Sequence, residues 1–479
     1  MTMVCYRGSN RQLLQSGIIR IRNLCAATLV IALCLLSVGC KSPLKTDSAV
    51  MQNEDGTLQV ANPGDPRPGR QSAAIQRKLR DARGKGGLLE RHLTVEEAVS
   101  SSPLVGGNRV MLLQDGPATY KAMLAAIGAA KRHINMEIYI IEDDEVGRRF
   151  ADLLIQKKAA GVEVNLIYDS VGGINTPREF FDRLRDGGVR VLEFNPVNPL
   201  TAKKGWQINN RDHRKLLVVD GRTAFLGGIN ISGVYSSGSS VRSRPRADGK
   251  LPWRDTHMQI DGPVVADFQR QFMETWEKQK GEAMTAADYF PKLPARGGNF
   301  VRALASDADD EGSAIYTALL SAVNSADVSV HITNAYFSPN EEFINALKDA
   351  AGRGVDVKLI LPSHTDFWVV FHSGRSHYSD LLQAGVKIYE RKGALLHSKT
   401  ALIDDVWSCM GSANLDWRSF VHNNELNAVV VGDDFSRQMR AVFAGDLAAS
   451  EEINPEQWER RSLDLRIREW AARLWEYWL

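Results

Sequence analysis

Cysteine is almost missing from most of this 479-residue chain: four of the five (Cys5, Cys25, Cys34 and Cys40) lie in the first 40 residues. Cys409 stands alone in the body, which excludes an internal disulfide or a cysteine-based zinc site there. In its apolar, strand-like run it reads as a small core residue. Net charge is scarce too. The formal charge is +2, and the first 40 residues hold four Arg and no acid. Setting those Arg aside leaves 55 basic against 57 acidic residues. So neutral a body lacks the basic surface of a non-specific nucleic-acid binder, and no nucleic-acid partner is expected. The apolar run "LCAATLVIALCLL" at 24–36 also falls short of the roughly 20 residues of a spanning helix.

That run follows Arg20 and Arg22 and leads into "SVGC", the layout of a secretory signal. The "VGC-K" end resembles a bacterial lipoprotein cleavage box with Cys40 as the lipidated residue. Ser37 departs from it, standing where the box usually has Leu. An uncleaved membrane anchor is the other reading of residues 1–40. Either one exports the body and tethers it on the periplasmic side. Lys41 follows the cysteine where Asp would resemble an inner-membrane retention signal, which tilts the expectation toward the outer membrane. Residues 41–85 read as a polar tether without hydrophobic period.

What the body does contain is a pattern used twice. "HRKLLVVDGRTAFLGGIN" begins at His213 and "HSKTALIDDVWSCMGSAN" at His397. His213, Lys215, Asp220, Gly227 and Asn230 match His397, Lys399, Asp404, Gly411 and Asn414 without a gap. Each copy sits at the same place in a longer repeat. A helix-to-strand stretch (122–140; 318–337) comes first, and a helix and a Gly-Val strand (159–169; 352–362) follow. Another helix and strand (187–196; 384–393) lead to the motif. The order β-α-β-α-β-β therefore occurs twice, an internal duplication of an α/β unit. A continuous central sheet with helices on both faces is expected, with units at 86–290 and 300–452 and a seam at 283–300. Residues 197–212 and 234–252 read as a loop beside the first His and an insertion after it.

Strand alternation puts His213 and Lys215 on one face, and His397 and Lys399 likewise. If a pseudo-twofold joins the two strands, one pocket collects two imidazoles, two ammonium groups and two Asn amides. That set suits a phosphodiester: cations and amides stabilise charged oxygens while one His attacks and the other protonates the leaving oxygen. The two roles require the His environments to separate their pKa values. No metal or cofactor is called for, because Lys and His supply the charge. His213, Lys215, Asp220, His397, Lys399 and Asp404 are the candidate catalytic residues, with Asn230 and Asn414 as phosphate binders. Asp220 and Asp404 end their strands, where tying down the motif turn suits them better than touching substrate. Asp255 in "WRDTHMQIDGP" and Glu425 in "NNELN" are candidates to orient the histidines. His364, His372 and His377 fall in a helix with aromatics at spacings that do not stack on one face, which reads as pocket wall or core.

The paired motif resembles that of the phospholipase D superfamily, over roughly residues 108–450. The resemblance implies an α/β fold of two phospholipase D-like units with central mixed sheets, flanking helices and one shared active site. It also implies that His213 attacks phosphorus and His397 serves as acid, then base. Within the superfamily the chain is most similar to bacterial cardiolipin synthases. "GGIN" at 227–230, "WRDTHMQIDGPVV" and "GSANLDWRSFVHNNELN" carry that likeness. His422 and Asn424 depart from it, standing where apolar residues are more usual.

The expected partners are thus phospholipids, phosphatidylglycerol and also phosphatidylethanolamine, and a membrane surface. Phosphatidyl transfer giving cardiolipin is the leading expectation. Phospholipase D-type hydrolysis, a periplasmic nuclease and a non-catalytic lipid binder are the alternatives. In the tail, 454–479, Leu463, Ile467, Trp470, Leu474 and Trp478 share one helical face with Arg beside it. An interfacial anchor and plain packing on the core both fit that pattern.

Overall fold

The computed structural model describes residues 50–52, 58–60, 88–100, 102–198, 207, 209–238, 251–284, 288–308, 310 and 312–475. The signal segment with Cys40, most of the tether, parts of the loops at 197–212 and 234–252, and Trp478 lie outside them. Within the tether, Val50–Gln52 and Leu58–Val60 pair antiparallel.

The first unit contains β1 (Val105–Gln114), α1 (Asp115–Ala129), β2 (His133–Ile138), α2 (Glu145–Ala159), β3 (Glu163–Asp169), α3 (Arg178–Asp186) and β4 (Arg190–Phe194). The motif strands β5 (Lys215–Val219) and β6 (Thr223–Gly227) follow, then β7 (Thr256–Asp261) and α4 (Val265–Lys278). The second unit repeats the order. Its strands are β8 (Asn299–Ser306), β9 (Ser329–Asn334), β10 (Asp356–Pro362), β11 (Lys387–Arg391), β12 (Lys399–Ile403), β13 (Trp407–Gly411), β14 (Asn423–Val431) and the edge strand β15 (Ser450–Glu452). Its helices are α5 (Ala314–Ser325), α6 (Glu341–Gly352), α7 (Trp368–Ser376) and α8 (Asp433–Ala448), and α9 (Leu463–Arg473) closes the chain.

All fifteen strands belong to one sheet, in the order β15-β11-β10-β9-β12-β13-β14-β8-β1-β7-β6-β5-β2-β3-β4, with the two-residue strand Arg211–Asp212 joined to β14 as its sixteenth. Read outward from the central β8–β1 pair, the two halves mirror each other, as a duplication requires. The expected mixed sheet is therefore present and continuous. Within the sheet the two halves meet at the antiparallel contact of β8 with β1, Asn299 opposite Asn108. In β2, β3 and β4, parallel crossovers place helices on the faces, so β2 and β3 are buried at every position. Local chemistry starts the helices: the Asp144 and Asn340 side chains accept from Gly147 N at 2.9 Å and Phe343 N at 3.0 Å, capping α2 and α6.

The candidate active site

Strand direction decides what reaches the pocket. β5 runs antiparallel to β2 with Lys215 opposite Ile138, so His213 emerges at the C-terminal edge of the parallel strands. That edge is where an open α/β sheet leaves its crevice. β12 repeats the arrangement, Lys399 opposite Asn334. The same registers carry Asp220 and Asp404 to the opposite edge, away from the two histidines. At φ 53° and 49° they sit in the left-handed region that Asp tolerates. The Asp220 carboxylate accepts the backbone N–H groups of Lys131, Arg132 and His133 at 2.8–3.2 Å. Asp404 accepts those of Asp327, Val328 and Ser329 at 2.8–3.0 Å. Both tie the chain together behind the motif.

Two short parallel ladders cross between the halves. Arg211 and Asp212 pair with Asn423 and Asn424, and Trp253 and Arg254 pair with Leu395 and Leu396. The next residue on each strand is then a histidine facing a carboxylate of the other unit. His213 Nδ1 lies 3.0 and 3.1 Å from the two Glu425 oxygens, and His397 Nδ1 lies 2.7 Å from Asp255 Oδ2. The orienting carboxylates are present as expected, but each serves the histidine of the opposite repeat. A carboxylate accepts, so each Nδ1 carries the proton and Nε2 is the free nitrogen.

The supports differ between the copies. Ser412 Oγ donates to Glu425 Oε2 at 2.5 Å and Asn423 Nδ2 to Oε1 at 3.1 Å. Gly228 holds the matching position beside Asp255, where a Cβ would stand 2.4 Å from Oδ1. The Gly-Gly of the first motif and the Gly-Ser of the second are thus set by carboxylate length. The shorter Asp draws the backbone in, while the longer Glu leaves room for a hydroxyl.

Burial would raise the Glu425 carboxyl, but His213, Lys215 and Ser412 hold it down at about 2. Burial lowers His213 to about 4 against the opposing pull of Glu425. Burial, and then Lys399, lowers His397 as well. The expectation of one neutral and one protonated imidazole is therefore not met in the protein alone: both are neutral near pH 7. A phosphate between them adds the negative charge that favours protonation. Burial also brings Lys215 to about 7 and Lys399 to about 8. Their ammonium groups donate to the backbone carbonyls of His213 and His397 and lie 5.1 and 5.9 Å from the Tyr139 and Tyr336 ring centres. The two amines stand behind the pocket wall rather than on it.

A cavity of about 350 Å³ joins the two halves here, lined by His213, His397, Asn230 and Asn414 among others. Asn230 Oδ1 accepts Ile140 N at 3.1 Å, whereas the buried Asn414 Oδ1 has no partner. Tyr139, Tyr336 and Asp366 are wall residues that escaped sequence reasoning, whereas Asp416, Arg418 and Ser419 come from the "GSANLDWRSF" stretch that carries the family likeness. The tyrosines follow β2 and β9 one position out of register, Tyr139 first after its strand and Tyr336 second, so the repeat did not align them. Asp416 caps the short helix Trp417–Val421 through Ser419 N at 2.8 Å, and burial raises its carboxyl to about 7. The aromatic helix around His372 is pocket wall at its start, where Phe367 and Val370 line the cavity.

The family pattern described as "Cardiolipin synthase, PLD-like domain" matches residues 123–237 and 319–447, one match on each unit. The chain belongs to this family. Cardiolipin synthase 2 of Bacillus cereus is 37% identical over 365 residues, covering 76% of this chain and 69% of the relative. Cardiolipin synthase A of Pseudomonas syringae is 36% identical, covering 75% and 72%. The crystal structure of a phosphatidylserine synthase from Haemophilus influenzae superposes with a TM-score of 0.60 at 13% identity, over 81% of this chain and all of that one, which shows the shared fold. Cardiolipin synthase-family membership and the duplicated α/β unit thus agree, and the family pattern skips the seam strands β1 and β8.

Proposed function

We propose that this chain is a phosphatidyltransferase that makes cardiolipin from phosphatidylglycerol. The observation that carries the proposal is the pair of crossed histidine–carboxylate contacts on one cavity. Two neutral imidazoles, each fixed by its own buried anion, can attack and transfer protons without a metal. In the proposed cycle His213 Nε2 bonds to phosphorus as the P–O bond to the leaving alcohol breaks. His397, protonated on Nε2 once the bound phosphate adds its negative charge, gives that proton to the leaving oxygen. The incoming hydroxyl of phosphatidylglycerol then loses its proton to His397 and attacks phosphorus, and the P–N bond breaks. Asn230 and Asn414 hold the phosphate oxygens, and Lys215 and Lys399 add positive potential from behind. Phosphatidylethanolamine is a second donor consistent with the same chemistry.

The apolar run at 24–36 and Cys40 support an exported body tethered to the membrane, with lipid on Cys40 as the attachment. Among the described residues, no helix is long and apolar enough to cross a membrane. The test is lipid mass analysis of the purified full chain with phosphatidylglycerol and phosphatidylethanolamine. Cardiolipin with released glycerol or ethanolamine supports the proposal and names the donor; phosphatidic acid alone replaces it with hydrolysis. His213→Ala and His397→Ala should each abolish turnover, and either one at wild-type rate refutes the shared pocket.

A further inference from the structure

The closing helix α9 faces the wrong way for core packing. Leu463, Ile467, Trp470 and Leu474 are 64–76% exposed, and Trp475 just beyond is 44% exposed. At 100° per residue these four lie within about 60° of one another. The opposite side, Leu465, Glu469 and Ala472, is the one turned inward, with Glu469 taking Arg461 at 2.9 Å. The tail helix is thus docked through Leu465, Glu469 and Ala472 and presents its wider apolar stripe outward. Five such side chains on one short segment reach the roughly 300–600 Å² of the largest apolar patch on a soluble protein.

Its neighbour explains the orientation. α9 packs along α7, whose first turn lines the catalytic cavity through Phe367 and Val370. Phe367 and Trp368 at that turn are themselves 46% and 58% exposed. Exposed apolar side chains therefore stand both at the cavity rim and on the outward stripe of the helix packed along α7.

We propose that this α7–α9 face is the surface by which the protein docks on a phospholipid bilayer, with the cavity opening at its edge. The inference rests on the phosphatidyl-transfer reading of that cavity. A space of about 350 Å³ holds a headgroup and its phosphate and leaves two acyl chains outside. Those chains stay in the bilayer only if the cavity mouth meets it. Trp470 and Trp475 suit the headgroup level.

Amide hydrogen exchange of the full chain tests the face directly. Adding vesicles of phosphatidylglycerol and phosphatidylethanolamine should slow exchange across 463–475. Unchanged exchange overturns the proposal, as does slowing that instead follows protein concentration without vesicles, which would assign the face to a second copy. Turnover supplies an independent reading. The double variant Ile467→Glu/Trp470→Glu should lose at least about 10-fold on vesicles and stay within about twofold of wild type on monomeric dihexanoyl-phosphatidylglycerol. Equal loss on both substrates, or none on vesicles, overturns it. Wild type inactive on both lipids would refute the transferase reading, and exchange alone would then decide the docking face.

Discussion

Glu425→Gln should silence a histidine that lies 212 residues away in the chain. The substitution keeps the shape of the side chain but removes an anion that accepts from His213, Ser412 and Asn423. A hydrogen bond to a charged group contributes about 1.5–3 kcal/mol, and the amide can also present N–H to Nδ1 and impose the wrong tautomer. The matching change in a serine-protease triad lowers kcat by about 10⁴. Two such bonds and the tautomer together predict a loss of about 10³ in kcat, or roughly 4 kcal/mol of barrier. Asp255→Asn on His397 should cost a similar factor with the natural substrate.

The two variants separate when the leaving group needs no proton. With a phosphatidyl p-nitrophenol ester, rapid-quench measurement of p-nitrophenol release reports the first step alone. Asp255→Asn should release it at a rate within about tenfold of wild type, because its defect lies in the acid. Glu425→Gln should stay about 10³-fold slow, because its defect lies in the nucleophile. Rescue of Glu425→Gln and not Asp255→Asn would reverse the histidine roles. Wild-type rates in both would refute the reading of the crossed contacts as catalytic.

Gly228→Ser, which copies the second motif onto the first, should reduce turnover at least about 10-fold by pushing Asp255 aside, whereas Ser412→Ala removes one donor to Glu425 and should cost about 3–10-fold. Steady-state kinetics on vesicles checks both. In the protein without substrate, His213 is protonated only below about pH 4, while Lys215 and Lys399 lose their charge above about 7 and 8. The kcat/KM profile should therefore fall below about pH 4 as His213 is protonated and decline on the alkaline side as His397 and then the lysines lose their protons; a rise through pH 8 would contradict the assignment. Asp220→Ala removes three backbone acceptor contacts and leaves Ala in a left-handed turn, which should destabilise by about 2–4 kcal/mol in thermal melts. Asp220→Asn, still able to accept, should lose less, and folded protein of either variant should keep its kcat.

Much of the site was legible because it is local. His-x-Lys, the strand and its closing Asp lie within eight residues, and their repetition at equal spacing exposed both the duplication and the paired histidines. Asp255 and Glu425 were legible as carboxylates near each motif. Their exchange of partners was not, because it depends on two-residue ladders between segments 142 and 212 residues apart. The seam strand β1 was hidden by "VGG", which breaks the strand pattern, although Gly107 takes φ 85° beside the Ala295 side chain. In α9 the stripe itself was plain, but periodicity reports that a face is apolar and not which way it turns. That was decided by the buried Glu469–Arg461 pair, a contact the pattern does not register.

The exchange of carboxylates also orders events in time. The strand β5 and His213 can fold while the second half is still being made, but the histidine has no anion until residue 425 has left the ribosome. At about 5–20 residues per second the interval is on the order of 10–40 s. The emerging polypeptide is therefore born inert toward phosphodiesters, and its reactivity arrives only when the last third of the molecule closes over the first.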